Sequence, residues 1–514
     1  MNAVIEHVVV VGGGTAGWLS AGLLAAAHAG RVRVSVVESP DVPSIGVGEG
    51  TWPGIRDTLR AIGVRETDLL RECDASFKQG SRFAGWVDGG GVDRYDHPFM
   101  LPHGFGEADL VAGWLGAHAA IPFAAAVSPQ PHVCARGLAP KQASTPEFAA
   151  VANYAYHLDA VKLGHFLRAH CVDRFGVAHV SAHVEGVASD ADGDIAALRL
   201  RDGGTLAGDL FVDCTGLRCL LLGGHYAVPM HGCRDVLFND RALALQVPYR
   251  DPAPEIASQT IATAQTAGWI WDIGLPTRRG IGHVYSSAHA SDDAVEAALR
   301  AYVAATGGTQ EPPAARKLSF EPGWRREFWH RNCVAIGLSA GFVEPLEASA
   351  IALVELSATM LADELPATRD EIPLVARRFN RAFAYRWERI VQFLKLHYAL
   401  SRRGEARGEA YWRDHARTDA MPDALAELLA LWRHRPPSRH DFPDGQEIFP
   451  TASWQYVLYG MGFRPDTAQR HAGAARAAGP WLRESAQLAA RMTAALPGHR
   501  ALLDQARRNG LPRI

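Results

Sequence analysis

The sequence lacks most of what marks a secreted, membrane-bound or nucleic-acid-binding protein. Its seven cysteines (Cys73, Cys134, Cys171, Cys214, Cys219, Cys233 and Cys333) are scattered, odd in number and form no Cys-x-x-Cys pair. That argues against a disulfide framework or a cysteine metal site and suits a reducing cytoplasm. No apolar run is long enough to cross a bilayer, so no membrane partner is expected. The apolar run near the N-terminus is short, follows Glu6 and runs into glycines, so no secretion signal is expected either. Neither sign of charge dominates: 52 Lys and Arg against 55 Asp and Glu leave a net charge of −3. This removes electrostatic capture of nucleic acid. There is no internal repeat. What is there is a 514-residue chain, 48% hydrophobic and 21% charged, long enough for two or three interleaved globular modules.

The first 38 residues read as a strand–turn–helix–strand unit. His7–Val11 is a short apolar run of the kind that forms a buried parallel strand. Residues 12–17 are glycine-rich, 18–28 are helical, and Val32–Val37 is a second β-branched run ending at Glu38. Residues 52–75 look helical. A Gly-rich segment at 85–91 leads into an aromatic and Pro-rich region to about 150. Tyr156–Cys171 has helical periodicity. The short runs Val177–Val180, Val184–Val187, Ile195–Arg201 and Leu210–Asp213, separated by Asp-Gly turns, predict an antiparallel β meander. Residues 240–290 look strand-rich, Cys333–Ile336 is one more strand, and 350–363 is a helix. From about 370 the chain is mostly helical, with loops near 403–418, 435–452 and 464. The basic end, Arg507 to Arg513, reads as a solvated tail.

Gly12-x-Gly14-x-x-Gly17 lies between the first strand and helix. The first glycine permits a tight turn, the second lets backbone approach a pyrophosphate, and the third lets helix and strand pack closely. The helix N-terminus, with Thr15 and Ala16 in its first turn, offers free N–H groups to phosphate. Glu38 follows Gly17 by 21 residues, where an acid binds a ribose 2′-OH and disfavours NADP. A lone GxGxxG is also found in ordinary turns; strand, turn, helix, strand and acid in order point to a dinucleotide. Downstream, Asp213-Cys214-Thr215-Gly216 at a strand end resembles the second nucleotide-contacting segment of two-dinucleotide-fold flavoproteins. Cys333–Gly337 resembles their third, which favours FAD over NAD.

Four further stretches together resemble the flavin-dependent tryptophan halogenase family. They are GGGTAGW (12–18), GVGEGTWP (46–53, similar to the family's flavin strap), SFKQG (76–80) and NCVAIGLSAGFVEPLEAS (332–349). The family's Trp-x-Trp-x-Ile-Pro signature is altered to Trp269-Ile-Trp271-Asp-Ile273-Gly274. In aromatic hydroxylases the third flavin segment usually reads Gly-Asp-Ala; here Leu338 takes the place of that Asp.

The resemblance implies an α/β two-dinucleotide-fold flavoprotein. A Rossmann-like FAD module with a β meander would comprise residues 1–80, 151–230 and 315–380. A mostly helical substrate module would comprise 81–150, 231–314 and 381–514. FAD would be held by Gly12, Gly14, Thr15, Ala16, Gly17, Glu38, Gly48, Glu49, Gly337, Leu338 and Ile351. Reduced FAD would come in trans from a separate NAD(P)H-dependent flavin reductase. Bromide or chloride would be oxidised to hypohalous acid and delivered to Lys78 and Glu347, the catalytic pair. Lysine suits the first role because an ammonium polarises the halogen or an amine carries it. A carboxylate suits the second because it stabilises a cationic ring and takes its proton. A solvated surface lysine and a glutamate favouring a helix start are the bland alternatives. Halide would sit at Ser349 and Ala350, where a helix opens; the family has Thr-Gly there. His97 and Phe99, within Asp-His-Pro-Phe, and Trp454 would contact a small aromatic substrate, an indole by resemblance. The Tyr-Tyr pair of tryptophan-specific members is not preserved, as the matching stretch reads Trp454-Gln455-Tyr456. A homodimer is allowed, and no metal is expected. The rivals are a flavin-dependent aromatic hydroxylase, a non-catalytic flavin-binding protein and a flavin-free NAD dehydrogenase.

Overall fold

Four valines follow one another in His7–Val11, and every residue of that strand is buried. A run apolar on both faces belongs in the middle of a parallel sheet covered by helices. It does so here: the six-stranded sheet runs Trp329–His330, Cys333–Ala335, Leu210–Asp213, His7–Val11, Arg33–Glu38, Ala178–Ser181. Only the Trp329–His330 pairing is antiparallel. The computed structural model describes residues 4–42, 48–251, 253–309, 312–442, 447–466 and 472–513. They fall into two compact units.

The first unit comprises 1–74, 158–233 and 320–388. The alanine- and glycine-rich helix Thr15–Ala27 packs against helices Ala160–Phe175 and Ser349–Asp363. Two expectations are corrected here. The meander contains Val184–Ser189, Ile195–Leu200 and Thr205–Ala207, while Leu210–Asp213 and Ala178–Ser181 join the parallel sheet. Leu210–Asp213 is buried throughout, so it takes a central place rather than a half-exposed meander edge. Second, the helical run expected from Tyr156 begins at Ala160, after the strand Ala155–Leu158. Asp159 sets that start by accepting the Val161 and Lys162 N–H groups. Residues 52–75 form two helices, Ile55–Ala61 and Glu66–Glu72, broken around Gly63.

The second unit comprises 75–157, 234–319 and 389–514. Its seven-stranded sheet runs Arg316–Ser319, Arg241–Pro248, Arg278–Tyr285, Trp269–Gly274, Thr260–Ala264, Gly80–Ala84, Arg94–Pro98. Helix Asp292–Ala305, capped by Ser291, lays Val295, Leu299 and Val303 on Leu243, Leu245, Ile270 and Ile281. The C-terminal part is helical as expected, with Thr451–Gly460, Ala472–Ala495 and His499–Asn509 among its elements. Gly113 faces Ala478 where helices Leu110–Ala117 and Ala472–Ala495 pack closely. No helix among the described residues is long and apolar enough to cross a membrane.

Candidate functional site

The glycine fingerprint is shaped by three different constraints. Gly12 has φ +114°, and a Cβ there would sit 2.3 Å from the Cys214 carbonyl oxygen. A Cβ at Gly17 would sit 1.9 Å from the Gly12 carbonyl oxygen, so strand turn and helix touch only through glycine. A Cβ at Gly14 would meet nothing within 4 Å. Turn and packing thus explain Gly12 and Gly17, while Gly14 leaves open room at the helix start. That helix has no side-chain cap and no acid in its first turn, so its N–H groups stay available to an anion. The Glu38 carboxyl lies against Gly13 and 3.2 Å from His179 Nε2.

Asp213 closes its strand fully buried and spends its carboxylate on the following loop. It accepts from the Thr215, Leu221 and Leu222 N–H groups at 3.0, 2.8 and 3.0 Å and from the Thr215 and Ser339 hydroxyls. Ser339 brings in the turn of Gly337 and Leu338, and Gly337 lies beside Ala16 of the fingerprint helix. The three flavin-like segments therefore converge within one unit. Glu49 stands on the short strand Glu49–Gly50, and burial pushes its carboxyl up to about 7. Gly48 lies just before it; Gly46 and Val47 of the strap-like segment lie outside the described residues.

Glu347 lies in the same unit, on a tight turn rather than in the helix that follows. Glu347 has φ +63° and Ala348 φ +54°, two consecutive left-handed residues without a glycine. Each such residue costs about 1–3 kcal/mol and persists only where its surroundings enforce it. One clamp bears on the turn itself, and a second bond ties down the helix that follows. The Trp52 indole N–H donates to the Glu347 carbonyl at 2.7 Å. Two turns on, the Thr58 hydroxyl donates to Glu355 at 2.6 Å. Burial pushes the Glu355 carboxyl up to about 8. Helix Ser349–Asp363 starts without a side-chain cap or an acid in its first turn, and Ser349 and Ala350 are its first residues. Ile351 is buried in that same turn.

Lys78 belongs to the second unit, on the strand Ser76–Lys78, and is fully buried. Its ammonium lies over the Phe99 ring, 5.3 Å from the centroid. Its neighbours are each tied down. The Ser76 hydroxyl donates to the Gly274 carbonyl (2.6 Å), and the Phe77 N–H donates to His499 Nε2 (3.1 Å). The Gln79 N–H donates to the Ser258 carbonyl (2.6 Å). His157 pairs across from Ser76, and its imidazole is held far below its usual pKa by burial, then by Lys78 and His499. His97 is buried on the strand Arg94–Pro98 and meets the Phe393 and Tyr456 rings at 5.8 and 6.1 Å. Trp454 lies behind Phe393, at 4.9 Å, with its indole N–H given to the Phe449 carbonyl. Trp269 and Trp271 are buried on a central strand, and Trp269 meets Trp86 at 6.0 Å.

The tryptophan halogenase family model matches residues 7–477. The 7-chloro-L-tryptophan 6-halogenase KtzR of Kutzneria sp. (strain 744) is 35% identical over 484 residues, 88% of this chain and 90% of that protein. The crystal structure of a tryptophan halogenase from Shewanella frigidimarina superposes with a TM-score of 0.94 at 44% identity, covering 99% of both chains. Xcc4156, a flavin-dependent halogenase from Xanthomonas campestris, gives a TM-score of 0.87 at 32% identity, with 99% of both covered. The chain belongs to the tryptophan halogenase family. It is an enzyme of flavin-dependent halogenation, and the hydroxylase reading is not favoured. In this tryptophan halogenase family member the open Gly14, the uncapped helix start and Glu38 fit a dinucleotide-type flavin. Sequence reasoning missed Phe393 and Tyr456 beside His97. Phe393 lies in a long aromatic-rich helix with no local signal. Tyr456 was in view within Trp454-Gln455-Tyr456, and its neighbourhood shows that residue 456, not 454, faces His97.

Proposed function

We propose that this enzyme halogenates a small electron-rich aromatic, an indole, with Lys78 handing over the halogen and Glu347 receiving the ring proton. The observation that carries this reading is Lys78 itself, a fully buried lysine on an anchored strand with an aromatic face beside it. Burying an ammonium is costly, and a fold retains one where it has work to do. When bound, reduced FAD supplies the oxygen chemistry that turns bromide or chloride into a hypohalous species. The first unit holds it, through Gly12, Gly14, Thr15, Ala16, Gly17, Glu38, Gly48, Glu49, Gly337, Leu338 and Ile351. The N–H groups of Ser349 and Ala350, at an uncapped helix start after a left-handed residue, form the halide cradle. His97 and Phe99 form the aromatic wall for the substrate, and Trp454 backs it through Phe393. A separate NAD(P)H-dependent reductase supplies the reduced flavin in the cytoplasm, where the seven free cysteines remain thiols.

The test supplies a flavin reductase, NADH, FAD, oxygen and either halide, with a panel of indoles and phenols. Mass spectrometry reads the halogen isotope pattern. Halogenated indole from the unaltered enzyme and none from Lys78→Ala is the expected result. Undiminished product from Lys78→Ala would overturn the assignment.

A further inference from the structure

We infer that His499, at the start of the C-terminal helix His499–Asn509, is a positioning residue for Lys78. The inference rests on Lys78 acting as proposed above. The strand that carries Lys78 is only three residues long and stands at the edge of its sheet, paired with Ala155–Leu158. An edge strand turns alternate backbone N–H groups outward, where no further strand receives them. At Phe77 that outward N–H goes to His499 Nε2 at 3.1 Å. The other ring nitrogen, Nδ1, lies 2.9 Å from the Ile256 carbonyl oxygen. A carbonyl only accepts, so Nδ1 carries the proton and Nε2 presents its lone pair. One imidazole therefore takes the place of a missing strand carbonyl, in a single tautomer. His499 is fully buried, and burial pushes it down to about 4, so the lone pair is kept at working pH.

The consequence for Lys78 is geometric. Successive side chains of a strand point to opposite faces, so rolling the strand about its axis swings Phe77 and Lys78 together. The Ser76 hydroxyl and the Gln79 N–H hold the two ends. The Phe77–His499 bond is the clamp at the middle, one residue from the ammonium that must meet the halogen. Its loss misplaces Lys78 without touching any group that takes part in chemistry.

Two variants separate the nitrogen from the volume. His499→Phe keeps a ring and removes the acceptor; His499→Gln keeps an acceptor oxygen within reach of the Phe77 N–H. For His499→Phe, kcat for halogenation of an indole should fall about tenfold, with KM for the indole little changed. The share of consumed reduced flavin that ends as halogenated product should fall with it, with hypohalous acid and peroxide released instead. His499→Gln should recover most of both. A folded His499→Phe with unaltered kcat and coupling overturns the inference, as does a Gln variant no better than Phe. Lys78→Met, run alongside, separates the layers. Product from Lys78→Met overturns the role of Lys78 and this inference together. An inactive Lys78→Met beside a fully active His499→Phe overturns the positioning role alone. Should His499→Phe fail to fold, ¹⁵N-histidine spectra of the unaltered enzyme decide, with the His499 resonances identified by their loss in His499→Gln. A protonated Nδ1 and bare Nε2 are expected down to about pH 5.5. A doubly protonated ring there overturns the inference.

Discussion

Lysine is scarce in this chain: Lys78, Lys141, Lys162, Lys317 and Lys395 are the five present. Three of them, Lys78, Lys141 and Lys395, are fully buried, each with its ammonium over an aromatic ring. Lys141 donates to the Pro146 carbonyl and the Tyr154 hydroxyl, and Lys395 donates to the Val236 carbonyl, so both hold loops to the core. Lys78 stands on the short edge strand Ser76–Lys78, with its ammonium over the ring of Phe99. The left-handed pair Glu347–Ala348 invites a prediction of its own. Ala348→Gly removes steric strain of about 1–2 kcal/mol and adds unfolded-state freedom worth about 0.4–1 kcal/mol. Stability in urea unfolding should therefore rise by about 0.5–1 kcal/mol. Activity should fall about tenfold, because glycine frees the turn that aims Glu347. A variant that gains stability and keeps full activity would show that the strain has no catalytic use. That strain was not legible in the sequence, since neither Glu347 nor Ala348 is a residue type that signals positive φ. Gly12 and Gly17 of the fingerprint were legible because their positions leave no room for a Cβ.

At the scale of elements, the informative pair is Ile55–Ala61 with Ser349–Asp363, joined by Thr58 and Glu355. Burial raises the Glu355 carboxyl from an ordinary 4.5 to about 8, so it holds its proton in the folded protein below that pH. A raised carboxyl contributes most below pH 4.5, and its contribution is lost as pH climbs through the folded value. Glu355→Gln keeps the shape and the acceptor and cannot ionise. It should match the unaltered protein near pH 5 and exceed it by at least about 1 kcal/mol near pH 9 in urea unfolding. Equal stability at both pH values would mean that Glu355 is solvated in the folded state. Elements were legible where one pattern decided them: valine runs for parallel strands, Asp-Gly turns for the meander, and the helical run at 350–363. They were misread where partners decide. Leu210–Asp213 and Ala178–Ser181 look like meander strands until the sheet that claims them is known. The start of helix Ala160–Phe175 was set by the Asp159 cap, three residues past where the periodicity began to look helical.

Across the whole molecule, each unit is assembled from three separate segments, and the interleaved division expected above came from the family resemblance, not from the local pattern of the chain. Periodicity reports on neighbours in sequence and carries nothing about which distant segments share a core. The assembled molecule does fix one collective property, its response to pH. Among the described residues, burial holds the imidazoles of His7, His157, His225, His283, His415 and His499 below their ordinary 6.5. As pH falls below 6.5 the unfolded chain gains protons on these histidines that the folded protein refuses, so they reduce stability toward acid. Glu49 and Glu355 act in the opposite sense, because the folded protein keeps protons there that the unfolded chain releases above pH 4.5. Between about pH 4.5 and 6.5 these six histidines oppose the two carboxyls, and stability rises with pH. Above about 6.5 the histidines are neutral in both states, only the carboxyls act, and stability declines until both have ionised near pH 8. Urea unfolding midpoints of the flavin-free protein across pH 5–9 should therefore peak near about 6.5. In Glu355→Gln the alkaline decline should flatten while the acid limb stays. A midpoint that climbs steadily through pH 8 would show that the two carboxyls ionise freely in the folded protein.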